Sequence, residues 1–299
     1  MVEITRPLNL DTRQEALVDM HSFLNVLNVL ASEMDLLDYA LGGSPPLQEV
    51  LSLVHEMARG LGDAEQVQAW LADPGELRAR ILRGVETTAK DAPPTLELQE
   101  SVENIQSILE VFEVRARELA ARHSHALAWT WFRLEELETR FTHLFQAIER
   151  NSKGRFRIIC NIADQEPRDY LVKLDLSSVD GDRIRIPAVF QDVIRDLLAN
   201  ARKYTPPGGR ILAGLRDSGE EVRFVVEDSG MGIPEHQIQD VVEFGFRADN
   251  VRDRRTQGGG FGLTKAYWVT RKCGGRMWID SAEGLGTRIC IHLPRPRAT

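Results

Sequence analysis

Three polar residues recur at helical spacing in one segment and could together handle a cation and a phosphate. The segment reads Asp196-Leu-Leu-Ala-Asn200-Ala-Arg-Lys203-Tyr204, and residues three and four positions apart share one face of a helix. The amide oxygen of Asn200 suits Mg2+, and Lys203 supplies a point charge for phosphate oxygens. A solvated helix face without any chemistry is the alternative interpretation.

A second segment leaves a predicted strand and turns on glycines. It reads Val225-Val-Glu-Asp228-Ser-Gly230-Met-Gly232-Ile233-Pro. The Asp228 carboxylate can accept a hydrogen bond from an exocyclic amine such as that of adenine, and the two glycines let the backbone approach a flat ring. A simple turn at the end of a strand would also explain this spacing.

Two further segments are rich in glycine. The first reads Gly258-Gly-Gly260-Phe-Gly262-Leu263 and runs from a loop into a predicted helix, so its free amides and the positive helix end favour a phosphate. It lacks the ending of a Walker loop, and it does not follow a first strand as a dinucleotide fingerprint would. The second segment ends at Thr287 and is predicted to be a turn between two strands.

A charged stretch with few apolar anchors lies between the second segment and the glycine-rich loop. It begins at Phe244-Gly-Phe246-Arg247-Ala-Asp and continues from Asn250 to Gln257. This composition predicts a mobile lid over a bound ligand, with an ordinary surface loop as the alternative.

These segments, in this order and at these separations, resemble the N, G1, G2 and G3 boxes of histidine kinase catalytic domains. The family shares its nucleotide fold with gyrase, the MutL repair proteins and a heat-shock chaperone. The Asn200-Ala-Arg-Lys203-Tyr204-Thr-Pro-Pro-Gly-Gly segment and the start of the lid resemble the kinases more than the other members. The resemblance implies ATP and Mg2+ as cofactors.

The resemblance also implies a role for each position. Asn200 is expected to hold Mg2+, Lys203 to contact phosphate, Tyr204 to pack near adenine and Asp228 to bind the adenine amino group. Asp196 departs from the asparagine or glutamate common in the family, but its carboxylate can orient a water or the metal. The remaining expected nucleotide contacts are Gly230, Gly232, Ile233, Phe246, Gly258, Gly260, Gly262, Leu263 and Thr287.

A histidine kinase also needs a phosphoacceptor histidine, and His21 is the best candidate. It lies in Asp19-Met-His21-Ser22-Phe-Leu-Asn25, which resembles kinase H-boxes of the His-x-x-x-Asn type. Asn25 follows one turn later, where the family can use it to orient water for dephosphorylation of a regulator. Ser22 departs from the acidic residue usual after the histidine. His55 ranks second because it has an acidic neighbour but lacks the rest of the pattern.

The surrounding elements indicate an α+β chain of two domains. Apolar residues recur at helical spacing over residues 11–41 and 95–151, whereas residues 155–293 alternate short β-rich runs with helices at 187–204 and 262–273. We predict a helical dimerisation and phosphotransfer domain at residues 1–150 and an α/β-sandwich ATP-binding domain at residues 151–299. Two long helices per chain predict a four-helix bundle in a homodimer. His123 and His125, in the second long helix, are expected to be structural or exposed.

Composition limits the environment and the partners. A formal net charge of −8 argues against nucleic acid as the main partner. No apolar run approaches the roughly 20 residues that cross a bilayer, and the start of the chain has no signal pattern, so a cytoplasmic location is expected. Three scattered cysteines indicate neither a disulfide framework nor a zinc site.

The sequence therefore predicts a cytoplasmic histidine kinase that phosphorylates itself and passes the phosphoryl group to an aspartate on a response regulator receiver domain. Phosphatase activity towards that regulator and a separate sensor partner are further expectations. Two alternatives stay open: a serine kinase on the same fold, and a binding module that ATP switches between shapes without phosphotransfer.

Overall fold

The computed structural model describes residues 1–122, 127–152, 154–252 and 260–296. These residues form two compact units. Residues 10–122 make up the helical unit, and the other described residues make up the sheet unit. The division differs from the predicted boundary near residue 151, because residues 1–9 and 127–152 cluster with the sheet. His123 and His125 lie outside the described residues.

The helical unit contains four long helices and two short ones. Their bounds are α1 (Thr12–Asp19), α2 (His21–Ala40), α3 (Pro45–Gly60), α4 (Ala64–Trp70), α5 (Pro74–Asp91) and α6 (Leu96–Arg122). Local sequence explains where several of them begin. Asp11 and Gln14 form a capping box at α1, Asp63 caps α4, and Asp73 caps α5 directly before a proline.

A four-helix bundle closes within this unit. Helix α2 packs against α3 and α6, and α5 packs against the same two helices. The apolar stripes of α2 and α6, including Leu27, Leu30 and Leu109, are therefore buried by helices of the same chain. The sequence prediction assembled this bundle from two chains because it gave residues 42–92 no place in the core.

The sheet unit is built on a seven-stranded mixed sheet with three helices packed on it. The strand order is β1 (Val2–Glu3), β8 (Arg276–Ala282), β9 (Gly286–Pro294), β7 (Glu221–Asp228), β6 (Arg210–Asp217), β4 (Tyr170–Ser178) and β3 (Ile158–Ile159). The β3–β4 and β4–β6 pairs are parallel, and the other neighbours are antiparallel. The helices are α7 (Leu134–Asn151), α8 (Phe190–Tyr204) and α9 (Gly262–Lys272).

The period of two in the strands explains how the helices pack on the sheet. In β7, Val222, Phe224 and Val226 are buried at alternate positions. Phe224 meets Phe190 of α8 edge to face, with ring centroids 6.2 Å apart. The predicted α+β class is confirmed, and the strands predicted near residues 170, 210, 222, 276 and 288 are present.

The predicted single helix over residues 95–151 is wrong. Helix α6 ends at Arg122, and β2 (Trp129–Arg133) precedes α7. Strand β2 pairs antiparallel with β5 (Arg183–Pro187) in a separate two-stranded sheet. The run Trp-Thr-Trp-Phe-Arg fits a helical stripe by spacing, but its aromatic and β-branched residues favour a strand once a partner strand is available.

Within the described ranges, no helix combines the length and apolar character needed to cross a bilayer.

The bundle core can be tested on α6. The Phe112 side chain is fully buried, and its ring centroid lies 5.2 Å from that of Phe23 on α2. We expect Phe112→Ala to lower the free energy of unfolding of the helical unit by about 3–5 kcal/mol through lost burial and the remaining cavity. Glu110→Ala is the matched control, because Glu110 is exposed on the same helix, and it should change stability by about 0.5 kcal/mol or less. Urea unfolding followed by circular dichroism measures both, and equal losses would contradict this packing.

Candidate functional site

Helices α8 and α9 approach each other closely where the predicted cation and phosphate segments meet. A Cβ placed on Gly262, the first residue of α9, would lie 2.8 Å from Nδ2 of Asn200. The carboxamide of Asn200 therefore rests directly on the start of α9. The first backbone amides of a helix have no acceptors within the helix and favour an anion.

A backbone crossing supports the start of α9. Gly260 has a φ of +79°, and a Cβ there would lie 2.8 Å from the carbonyl oxygen of Phe246. Only glycine combines this conformation with this approach. The hydroxyl of Thr264 donates a 2.9 Å hydrogen bond to the carbonyl of Glu243, so residues 243–246 are held against the first turn of α9. Gly258 and residues 253–257 of the predicted lid lie outside the described residues.

Asp228 ends β7 with its carboxylate mostly buried. It accepts hydrogen bonds from the backbone N–H groups of Gly230, at 2.8 Å, and Thr287. Burial nevertheless raises the pKa of Asp228 to about 6, because desolvation of the carboxylate outweighs these two donors. The Ser281 hydroxyl links Thr287 Oγ1, at 2.9 Å, with the Ile233 backbone N–H, also at 2.9 Å. The structure thus brings Asp228, Ile233 and Thr287 together through a serine that the sequence interpretation overlooked.

The glycine turn after Asp228 is clamped on both sides. The N–H of Met231 donates to the carbonyl of Tyr204 at the end of α8, and the Met231 carbonyl accepts from Gly284 N–H at 2.7 Å. Gly232 has a φ of +67°, and a Cβ there would lie 1.9 Å from the carbonyl oxygen of Ala282. This fit leaves no room for a side chain, so the turn requires glycine.

Two basic residues, Lys203 and Arg247, interact electrostatically. Lys203 is half-buried, and its Nζ lies 5.1 Å from the ring centroid of Tyr204. Burial, assisted by the charge of Arg247, lowers the pKa of Lys203 to about 8. An anion bound near both side chains would offset this unfavourable interaction. The sequence interpretation placed Arg247 in the lid and gave it no binding role, although a basic residue after Phe246 was visible.

The described start of the predicted lid is anchored to the glycine turn. Asn250 Nδ2 donates to the Gly232 carbonyl at 3.0 Å. The side chain of Gln237 pairs reciprocally with Asp249, accepting from the Asp249 N–H at 3.0 Å. Residues 247–251 therefore form an ordered root, and the sequence interpretation missed the contribution of Asn250 and Gln237.

The remaining predicted residues lie around the same region. Ile233 is 9% exposed, and Tyr204, Phe246 and Leu263 are partly buried against the hydrophobic core of the sheet unit. The Asp196 Oδ2 atom is buried and has no hydrogen-bond partner among the described residues. A carboxylate oxygen in that state, one turn before Asn200, fits a hard cation or a water bound to it.

A cation at this position would depend on more than protein ligands. The described residues contain no group of three or more His, Cys, Asp or Glu side chains arranged to hold a metal. Mg2+ commonly binds through one or two protein oxygens while keeping waters and phosphate oxygens as its other ligands. The pair Asp196 and Asn200 matches this type of site.

The two histidine candidates have different surroundings. His21 is the first residue of α2 and is 5% exposed. Its Nε2 lies 3.2 Å from Nδ2 of Asn25, one turn further on. The His55 side chain is 43% exposed, with Nε2 3.7 Å from a carboxylate oxygen of Asp35.

Comparisons with known proteins bear on the sheet unit. Residues 186–297 match the family described as histidine kinase-, DNA gyrase B- and HSP90-like ATPase. Sensor histidine kinase WalK of Bacillus subtilis is 30% identical over 153 residues, which are 50% of this chain and 23% of that protein. Adaptive-response sensory kinase SasA of Thermosynechococcus vestitus is 39% identical over 128 residues, which are 42% of this chain and 31% of that protein. The chain therefore spans less than a third of either relative.

Among solved structures, the catalytic domain of histidine kinase ThkA is 23% identical, with 56% of this chain and 95% of that chain covered and a TM-score of 0.40. The family match includes Asn200, Asp228, Gly262 and Thr287. Residues 186–297 therefore form an ATP-binding domain of the histidine kinase, DNA gyrase B and HSP90 type, and the chain that carries it is a relative of the sensor histidine kinases.

Proposed function

We propose that the chain binds Mg-ATP in the sheet unit and transfers the γ-phosphoryl group to His21. The observation that carries the proposal is the contact of Asn200 with the first residue of α9, because it joins a cation ligand to a phosphate-binding helix end. Asn200 holds Mg2+, and Asp196 orients a metal-bound water. When bound, Mg2+ would neutralise part of the negative charge of the phosphates.

The other side chains divide the nucleotide between them. Asp228 accepts a hydrogen bond from the adenine amino group, and Tyr204 packs beside the base. Lys203 and Arg247 bind the phosphates, whose negative charge offsets the repulsion between the two side chains. Gly230, Gly232, Gly260 and Gly262 let the backbone approach the ligand.

The hydrogen bond from Asn25 selects the reactive nitrogen of His21. An amide N–H donated to Nε2 leaves that nitrogen unprotonated and places the ring proton on Nδ1. Once the hydrogen bond from Asn25 breaks, the Nε2 lone pair attacks the γ-phosphorus, the bond to the β,γ-bridging oxygen breaks, and ADP leaves with the electron pair. Transfer of the Nδ1 proton to water then leaves the imidazole ring of the phosphoramidate neutral.

Burial of His21 requires an opening step before this attack. The imidazole is 5% exposed, so a phosphate cannot reach it in this conformation. His21 stands in the first turn of α2, directly after the break from α1 at Met20. A first turn has the fewest helical hydrogen bonds, so fraying there exposes the ring at the lowest cost.

The phosphoryl group then passes to an aspartate of a response regulator receiver domain. Asn25 supports the reverse reaction, in which it orients a water that dephosphorylates the regulator. A separate sensor partner and a cytoplasmic location belong to the same proposal. They draw their support from the resemblance to two-component kinases.

The burial of His21 also favours a second function. In this alternative, ATP switches the chain between two shapes that bind a partner differently, and no phosphoryl group is transferred. Ser22, in place of an acidic neighbour, is consistent with it because the serine is a poor acceptor for the imidazole proton. A serine kinase on the same fold is distinguished by the acid stability of its product.

Labelling decides between these functions. With γ-labelled ATP and Mg2+, we expect acid-labile, base-stable label on the wild-type chain and on His55→Ala, the matched control. His21→Ala should lose the label because the acceptor is absent, and Asn200→Ala should lose at least about 100-fold in rate because the metal ligand is absent. Label retained in His21→Ala would remove His21 as the acceptor. Nucleotide binding without label in any variant would favour the switch.

Nucleotide affinity should follow a bell-shaped pH profile. Ionised Asp228 is lost as the pH falls through about 6, and charged Lys203 is lost as the pH rises through about 8. We expect the lowest Kd for ATP between these values, measured by titration calorimetry at constant ionic strength. Asp228→Asn should bind about tenfold more weakly at neutral pH and lose the acidic limb. The difference between the pH profiles of the wild type and Asp228→Asn separates the titration of Asp228 from the titration of ATP.

The stability of the Asp228→Asn variant supplies a control, because we expect this substitution to raise stability while it weakens ATP binding. Because the pKa of Asp228 is raised on folding from 3.8 to about 6, its ionised form disfavours the folded state. The variant should therefore melt above wild type at pH 7, and the gain should vanish near pH 4. A variant that loses both affinity and stability at pH 7 would contradict the assignment.

Homodimerisation is a further part of the proposal, although the bundle closes within one chain. Exposed apolar side chains remain on two helices of the bundle: Leu36 and Tyr39 on α2, and Val111 and Val114 on α6. We expect light scattering to give about twice the chain mass of 33.7 kDa. A mass of one chain at every concentration would contradict the dimer.

A further inference from the structure

The first nine residues belong to the sheet unit and extend the edge of its sheet. Strand β1 pairs antiparallel with β8, with Val2 opposite Ile279 and Glu3 opposite Trp278. The Glu3 carboxylate accepts from Arg276 Nε at 2.7 Å. The strand contains only two residues, so side-chain contacts after it must hold the segment in place.

Two buried contacts secure the backbone after β1. Ile4 is 2% exposed and lies in the core, while the hydroxyl of buried Tyr267 on α9 is 3.0 Å from the Arg6 carbonyl. Gln239 binds the segment from the other side, since its Nε2 donates to the Glu3 carbonyl at 2.7 Å and its Oε1 accepts from Thr5 N–H at 3.1 Å. The segment therefore lies between α9 and residues 238–243.

Arg6 connects this segment to residues 240–243, which precede the predicted lid. Its guanidinium lies 2.6 Å from the Asp240 carboxylate and also pairs with the Glu243 carboxylate. The carbonyl of Glu243 accepts from the Thr264 hydroxyl at 2.9 Å and from Phe246 N–H at 3.2 Å. Glu243 is thus held by its side chain to Arg6 and by its backbone to both sides of the predicted phosphate cradle.

We propose that Arg6 is a positioning residue of the nucleotide site. It fixes Glu243 and thereby holds residues 244–247, including Arg247, against Gly260 and the first turn of α9. Nothing in the chain order places residue 6 near residue 243, so the contact exists only because β1 joins the sheet. The inference rests on the proposed function, since it takes ATP as the ligand of this cradle.

Because the Arg6 side chain is partly exposed, a positioning role can be distinguished from a contribution to global stability. Its side chain is 42% exposed, and exposed ion pairs contribute little to global stability. Loss of Arg6 should therefore leave the melting temperature nearly unchanged while increasing the mobility of residues 244–247. Arg276 is the matched control, because its 60% exposed side chain also pairs with an acidic residue of the N-terminal segment but does not contact Glu243.

The experiment compares the full-length variants Arg6→Ala, Arg6→Lys, Arg276→Ala and Glu243→Ala. We expect Arg6→Ala to raise the Kd for Mg-ATP about five- to tenfold and to speed amide hydrogen exchange in residues 244–247. Arg6→Lys should recover part of the affinity, and Arg276→Ala should match wild type in both measurements. Glu243→Ala should also weaken binding and speed exchange in residues 244–247, and the double variant should lose no more than Arg6→Ala, because Arg6→Ala already removes the ion-pair partner of Glu243.

Two results would overturn the proposal: unchanged exchange at residues 244–247 in Arg6→Ala, or an equal change in Arg276→Ala. If the wild-type chain fails to bind ATP, the proposed function fails instead. The exchange measurement still decides on Arg6 in that case, because it needs no nucleotide.

Discussion

The close packing of α8 on α9 is the constraint on which the nucleotide site depends. Nδ2 of Asn200 would lie 2.8 Å from a Cβ on Gly262, so a side chain there would displace the Asn200 carboxamide, the proposed cation ligand, from the start of α9. Deeper between the helices, fully buried Lys265 of α9 pairs with buried Asp192 of α8 at 3.8 Å. Asp192 also pairs with Arg195 on its own helix, and the contact across to Lys265 favours one register of the two helices.

The region around Asp228, where we propose that adenine binds, depends on backbone turns rather than on helix packing. Gly232 and Gly286 both have positive φ, and each lies against a carbonyl oxygen of a neighbouring segment. These approaches bring the ends of β7, β8 and β9 together around Asp228. Burial of that carboxylate opposes folding at neutral pH, which is the kind of cost found where a polar group is kept for a ligand.

The helical unit buries its apolar helix faces within a single chain. Its bundle buries the stripes of α2 and α6 with helices from residues 45–91, so folding of the unit needs no second chain. The same burial encloses His21, whose Nε2 lies 3.2 Å from Nδ2 of Asn25. The proposed phosphorylation of this residue therefore requires the first turn of α2 to open.

Local chemistry in the sequence determined much of this protein. Helix α8, helix α9 and the glycine turn after Asp228 follow from short-range spacing and from conformations that only glycine adopts, and the order of these segments sufficed to recognise an ATP-binding domain. Short-range pattern misassigned Trp129–Arg133, because an aromatic run fits a helix or a strand equally well until its partner, residues 183–187, is known. Only the tertiary structure decided that the bundle closes within one chain and that His21 is buried. It also decided the electrostatic interaction of Lys203 with Arg247 and the ion pair of Arg6 with Glu243. Each depends on packing between residues distant in sequence, and no periodicity within a single segment encodes such a contact.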